Sequence, residues 1–220
     1  MFNSVPIVFL VGSLLSLGYF NDPTVYTKPI PIWVLSFIAF SNGNKYGKWI
    51  GTGLLFSSIG DICLELDKTT YPGKGLFIGG LLAFLVAHLL YIVSFLKSKL
   101  DYKHATALLV PLGAYYFTIM SVLIPRMEPA LVVPVLVYGI AICGMALFAI
   151  LRSFSNKTCG LKSRYCSLIG SLVFVLSDSI LAVNKFAFPI QDAHFYVMVT
   201  YYFGQTYLAA STVQAGRTDR

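Results

Sequence analysis

Residues 75–96 read GLFIGGLLAFLVAHLLYIVSFL, and this stretch decides the fold. It holds no Asp, Glu, Lys or Arg between Lys74 and Lys97. At the helical rise of ~1.5 Å per residue it reaches ~33 Å, enough to cross a hydrocarbon layer of ~30 Å. Comparable apolar blocks lie at about 4–20, 25–41, 48–66, 105–124, 129–151, 164–184 and 193–212. The joints carry the turn-forming residues expected between helices: Asn21-Asp22-Pro23, Ser41-Asn42-Gly43-Asn44, Tyr71-Pro72-Gly73, and Pro125 with Pro129.

The whole chain has the same character. Of its 220 residues 57% are hydrophobic and 11% charged, with a mean hydropathy of +0.75. A soluble domain carries roughly 25% charged residues and has no means of hiding this much apolar surface at this length. The expected fold is all-α: a polytopic bundle of eight transmembrane helices forming one catalytic domain over 1–220. The first two blocks are the weakest. The second has Pro29 and Pro31 near its start, and the two together suit either a pair of spans or a shallow hairpin. The N-terminal block lacks the basic n-region of a signal peptide, so it is expected to be a first helix.

The net charge of +7 forms no contiguous basic stripe, which argues against nucleic-acid binding. The basic residues fall between the apolar blocks. With eight spans, one face holds Lys45, Lys48, Lys97, Lys99, Lys103, Arg152, Lys157, Lys162, Arg164, Arg217 and Arg220. The other holds Lys28, Lys68, Lys74, Arg126 and Lys185. This bias places both termini in the cytosol and leaves the Asn156-Lys157-Thr158 sequon unmodified. Cys63, Cys143, Cys159 and Cys166 form no CxxC pair and no Cys/His cluster of metal spacing, so neither a disulfide framework nor a metal or other cofactor is expected. Gly47/Gly51 and Gly139/Gly144 offer weak small-residue packing signals.

An ionisable side chain inside a bilayer costs roughly 2.5–3.5 kcal/mol on insertion scales, so each is a functional candidate. There are four: Asp61, Glu65, His88 and Asp178. Asp61 lies ~20 Å of helix past Lys48, and Asp178 ~21 Å past Arg164. Each precedes a lysine, Lys68 or Lys185, by seven residues. Their blocks run in the same direction, so the two carboxylates sit at nearly equal depth, in the half of the membrane away from the termini. Glu65, one turn beyond Asp61, reads as a supporting residue or an interfacial partner of Lys68. Phe84, His88 and Tyr91 share one helical face, and Tyr201 and Gln205 share another. His104 and His194 read as loop or interface residues.

Two carboxylates in a low dielectric cannot easily both ionise, and such a pair tends to hold one proton. That supplies a general acid and a general base, suited to hydrolysis of an acid-labile C–O bond with water from a polar cavity and substrate from the bilayer. Intramembrane zinc hydrolysis needs more histidines than the single deep His88. No G-x-S-x-G elbow supports a serine esterase.

At these residues the sequence resembles the YhhN family of integral membrane proteins, in its animal lysoplasmalogenase branch. The resemblance rests on Lys28-Pro29, Gly60-Asp61 with Leu64, Gly80 to Tyr91 with His88, SDSILAVNKFAFP (Ser177 to Pro189) and TYYFGQ (Thr200 to Gln205). It implies an eight-span enzyme of the endoplasmic reticulum that hydrolyses the vinyl ether of lysoplasmalogens to a fatty aldehyde and glycerophosphoethanolamine or glycerophosphocholine. It also implies Asp61 and Asp178 as the catalytic pair. His88, Tyr91, Asn184, Tyr201 and Gln205 would orient water or hold the lysophospholipid, and Lys28 would meet its phosphate at the interface. Gly204 departs from the family, where Ala commonly precedes the Gln, and altered packing is expected there. Two alternatives also use buried carboxylates. A proton-coupled transporter lacks a visible inverted repeat, and an intramembrane aspartyl protease lacks the first glycine of its GxGD motif at Ser58.

Overall fold

The computed structural model of the chain describes residues 5–73, 75–98, 100, 102–103, 105–155, 160–213 and 215. The sequon at Asn156, His104, Cys159 and the basic residues Lys74, Lys99, Lys157, Arg217 and Arg220 lie outside them. The described residues form eight α-helices: α1 (Val5–Asn21), α2 (Ile30–Ser41), α3 (Lys45–Thr69), α4 (Leu76–Leu96), α5 (Ala105–Leu123), α6 (Pro129–Phe154), α7 (Leu161–Ala182) and α8 (Ala193–Thr212). A 3₁₀ turn, Ile124–Arg126, follows α5, and a π-helical turn, Val183–Ala187, follows α7. All eight apolar blocks are therefore helices.

Five segments are long and apolar enough to cross a membrane: Lys45–Thr69, Leu76–Leu96, Ala105–Arg126, Pro129–Phe154 and Leu161–Ala187. Their outward faces are apolar, with Val110, Phe117, Val133 and Ile140 all exposed. The second block is shorter than its hydropathy suggests. Thr24 and Thr27 bond to each other, and the Thr27 hydroxyl donates to the Asp22 carbonyl at 2.5 Å, so a pinned turn takes up the residues before Ile30. The 12 residues left to α2 cover ~18 Å, short of a ~30 Å layer. The 20 residues of α8 are long enough, but several of their polar side chains turn inward: Tyr201, Gln205, Thr206 and Ser211 are all buried.

The helices pack in a continuous set around α8. α3 lies against α2, α4 and α8; α7 lies against α8 and α6; α6 also covers α4; α1 and α2 close on α8. α5 is held at one edge, by α6 and the π-helical turn. A close contact lies at Gly170 and Gly204, where α7 and α8 meet backbone to backbone. A Cβ on Gly170 would stand 2.9 Å from both the Gly204 carbonyl and the Leu208 amide. A Cβ on Gly204 would stand 3.1 Å from the Gly170 carbonyl and 3.2 Å from the Phe174 amide. The glycine at 204 thus sets the closeness of this pair. Gly60 plays the same part on α3, with the Phe84 ring of α4 2.5 Å from where its Cβ would be.

Two of the basic residues read as topology-setting charge are buried at the bundle end formed by Arg152 and Leu161. Arg152 is fully buried. Its guanidinium donates to Ser98 Oγ, the Ser163 carbonyl and hydroxyl, and Ser167 Oγ at 2.6–3.1 Å, and lies 4.4 Å over the Tyr46 ring. The planar fork can satisfy several neutral acceptors at once, which an ammonium cannot do. Arg164 donates to the carbonyls of Ser153 and Ser155.

Overpacking the α7–α8 contact should be costly because the obstacle is backbone. Gly170→Val is expected to destabilise by about 1–3 kcal/mol, read as a lower thermal midpoint of the detergent-purified protein. Gly79→Ala, where a Cβ meets nothing within 4 Å, is expected to leave the midpoint unchanged.

Candidate active site

A cavity of about 480 Å³ opens at the end of the bundle where α3 and α7 finish and α4 and α8 begin. Asp61 of α3 and Asp178 of α7 both line it. Its deeper walls are apolar, from Leu81, Phe84, Val135, Leu181, Val197 and Met198, and Asp67, Lys68, Asn184 and Lys185 stand at its rim.

Asp61 is 3% exposed. Tyr201 of α8 donates its hydroxyl to Asp61 Oδ2 at 2.6 Å. Lys28 Nζ stands 3.8 Å from Asp61 Oδ1 and 3.3 Å from Glu65 Oε2. The sequence suggested Lys68 as the partner of Glu65 and an interfacial phosphate for Lys28. Instead, the pinned turn before α2 carries Lys28 inward, and Tyr202 fixes its backbone by donating to the Lys28 carbonyl at 2.9 Å. Lys28 is 6% exposed. Buried charges persist only when paired and hydrogen-bonded, and this one cation serves two carboxylates a helical turn apart.

Asp178 has a different environment. The Tyr138 hydroxyl of α6 makes a short hydrogen bond to its Oδ2. His88 Nε2 lies 2.9 Å from that hydroxyl and 3.7 Å from Asp178 Oδ2. A phenol has one proton. With Tyr138 donating to Asp178, His88 must donate from Nε2 to the Tyr138 oxygen, which fixes its tautomer. Its Nδ1 then points to no partner among the described residues. Tyr138 is a cavity-lining partner of Asp178 that sequence reasoning missed. The signal was present: it carries the only side-chain hydroxyl between Pro129 and Leu151.

The two carboxylates thus face one cavity, but each is bonded to its own tyrosine. Among the described residues no hydrogen bond joins Asp61 directly to Asp178. α8 touches both of their helices, and so does α4, through Phe84 and His88 against Phe174. An aromatic wall of Phe84, Phe174 and Tyr201, with ring centroids 5.6–6.2 Å apart, backs the site. His88, Tyr91 and Gln205 lie outside the cavity lining. Tyr91 donates to Gln205 Oε1 at 2.9 Å and sits 3.2 Å from Ser57 Oγ. This buried network ties α3, α4 and α8 together. Asn184 lines the rim, and its Oδ1 accepts the Ile190 amide at 2.9 Å, closing the turn into α8. His194 accompanies it and lies 2.7 Å from the Tyr19 hydroxyl.

Comparison with known proteins gives a consistent set of matches. The YhhN family model matches residues 24–212. The chain is 32% identical to pig lysoplasmalogenase TMEM86B over 83% of its own length and 73% of that protein. It is 31% identical to bovine lysoplasmalogenase TMEM86A over 86% of its length and 77% of that protein. Against human lysoplasmalogenase TMEM86B it is 29% identical, covering 84% and 70%. No solved structure matches. With five helices of spanning length, these matches make the chain an integral membrane protein.

Removing Lys28 leaves two buried carboxylates without their cation. Lys28→Met is expected to lower stability by about 3–5 kcal/mol, seen in the thermal midpoint. Adding Glu65→Gln is expected to restore part of that loss, because the pair is coupled.

Proposed function

We propose that this chain, which belongs to the YhhN family, is a lysoplasmalogenase that hydrolyses the vinyl ether of 1-alkenyl-glycerophosphoethanolamine or -choline with Asp61 and Asp178 as its acid/base pair. A cavity faced by two carboxylates, in a family whose curated relatives are named lysoplasmalogenases, carries this reading. The cavity joins an apolar interior to a polar rim, which suits a lipid whose reactive bond lies next to its headgroup.

The chemistry needs an acid, a water and a counter-charge. One carboxylic acid transfers its proton to the β-carbon of the vinyl ether, and the C=C electron pair forms the new C–H bond. The α-carbon and its ether oxygen become an oxocarbenium ion. The other carboxylate faces that cation and takes a proton from water as the water oxygen bonds to the α-carbon. The resulting hemiacetal loses its hydroxyl proton to carboxylate, its C–O bond to glycerol breaks, and the departing oxygen is protonated. Products are the fatty aldehyde and glycerophosphoethanolamine or glycerophosphocholine, and both aspartates return to their starting states. Tyr201 and Tyr138 hold the carboxylates in place, and His88 holds Tyr138; Glu65 balances Lys28. Tyr91 and Gln205 act from behind as positioning residues, and Asn184 shapes the rim.

We further place residues 1–220 in one catalytic unit of the endoplasmic reticulum membrane, with the eight helices crossing or entering it and both termini cytosolic. The short α1–α2 pair returns the chain to the same side, so the orientation does not depend on how deeply that pair inserts. In microsomes Asn156 is expected to stay unglycosylated; a deglycosidase-sensitive shift at that residue overturns the orientation.

Asp61→Asn and Asp178→Asn are each expected to cut aldehyde release from lysoplasmenylethanolamine by at least about 100-fold. Tyr138→Phe is expected to cut it about tenfold, matching one hydrogen bond to a charged group of ~1.5 kcal/mol. An aldehyde-dehydrogenase-coupled assay on purified protein reads both, and normal turnover in either Asp variant overturns the mechanism.

A further inference from the structure

Three lysines line the cavity, and they are not equivalent. Lys28 is committed to Glu65 and Asp61. Lys68 and Lys185 have no carboxylate within ion-pair distance among the described residues. Both are exposed at the rim. Lys185 Nζ rests 4.2 Å over the Phe77 ring, which places its ammonium on the cavity wall rather than free in solvent. Phe77 in turn is tied to α3, because its backbone amide donates to Asp67 Oδ1 at 3.1 Å, next to Lys68. Asp67 also stands at this level, and that bond occupies one of its oxygens. Two uncommitted ammoniums, contributed by the end of α3 and by the π-helical turn after α7, therefore flank the entrance.

Their spacing from the carboxylates is the second observation. Lys68 follows Asp61 by seven residues, and Lys185 follows Asp178 by seven. Seven residues of helix rise ~10 Å. We propose that Lys68 and Lys185 form a subsite for the phosphate of a lysophospholipid headgroup, holding it at the rim so that the bond one glycerol away reaches Asp61 and Asp178. The inference rests on the lipid-ether hydrolysis proposed above. From phosphorus to the β-carbon of a 1-alkenyl chain there are about seven bonds, ~8 Å at the ~1.2 Å advance per bond of an extended chain. The phosphate needs only a further ammonium–oxygen contact to complete that span. Lysine is suited to the task as a mobile point charge. A substrate lacking phosphate would enter the same apolar interior without this register.

The test uses full-length protein in dodecylmaltoside and two uncleavable ligands: 1-O-alkyl-glycerophosphoethanolamine, and 1-O-alkylglycerol, which has no phosphate. The wild type should bind the first at least about tenfold more tightly. Lys68→Ala/Lys185→Ala should abolish that preference without moving the alkylglycerol affinity, and Lys68→Arg/Lys185→Arg should retain it. With lysoplasmenylethanolamine the alanine pair should raise KM about tenfold at similar kcat. Equal wild-type affinity for the two ligands, or equal weakening of both by the alanine pair, overturns the subsite. Inorganic phosphate that competes as well as glycerophosphoethanolamine overturns its assignment to a lipid headgroup. If the wild type releases no aldehyde while the binding preference holds, the hydrolase reading fails and the phosphate subsite stands.

Discussion

Everything in this bundle is arranged around the difficulty of keeping carboxylates among apolar helices. An unpaired charge in such surroundings is too costly to persist. Asp61 and Glu65 are therefore met by Lys28, and Asp61 also by Tyr201. Asp178 is met by Tyr138, which His88 holds from behind. None of these partners lies on the helix of the carboxylate it serves. Lys28 comes from the joint before α2, Tyr201 from α8, Tyr138 from α6 and His88 from α4. Satisfying two aspartates thus fixes the mutual placement of six elements, and the polar contacts specify an assembly that apolar packing alone would leave loosely determined.

Those contacts need helices that approach closely. Gly170 and Gly204 let the α7 and α8 backbones touch, one helical stretch below Asp178 and one residue from Gln205. Gly60 lets Phe84 of α4 lie against α3 beside Asp61. The aromatic wall of Phe84, Phe174 and Tyr201 then seals the interior side of the cavity. At the opposite end Arg152 does for neutral serines and carbonyls what Lys28 does for carboxylates, joining α6, α7 and the end of α4 through one buried cation. Small residues and buried cations are complementary devices here. The first bring backbones together, and the second hold their ends in register.

Much of this was legible in the sequence because the bilayer simplifies the code. Eight apolar blocks gave eight helices, and counting residues from Lys48 and Arg164 put Asp61 and Asp178 at one level, where they line one cavity. What resisted reading was pairing. The partner of a buried charge depends on which helices are neighbours, and hydropathy does not report that. So Glu65 could be read as a supporting residue or as a partner of the nearby Lys68, whereas the distant Lys28 reaches it. Tyr138 went unremarked in the sequence, because only the presence of Asp178 across the helix interface gives its hydroxyl a partner. The shortness of α2, left open in the sequence as a shallow hairpin, has a local cause: the side-chain bonds between Thr24 and Thr27 hold a turn ahead of Pro29 and Ile30.

The cavity's division into an oily interior and a charged rim has a consequence for the direction of the proposed reaction. Its two products belong to different phases. The long-chain aldehyde dissolves in hydrocarbon, and the glycerophospho-headgroup dissolves in water. A site that straddles the boundary releases each toward the phase that takes it up. Re-encounter of the two fragments then requires both to return from separate reservoirs, and dilution into those reservoirs drives turnover forward without any coupled source of energy.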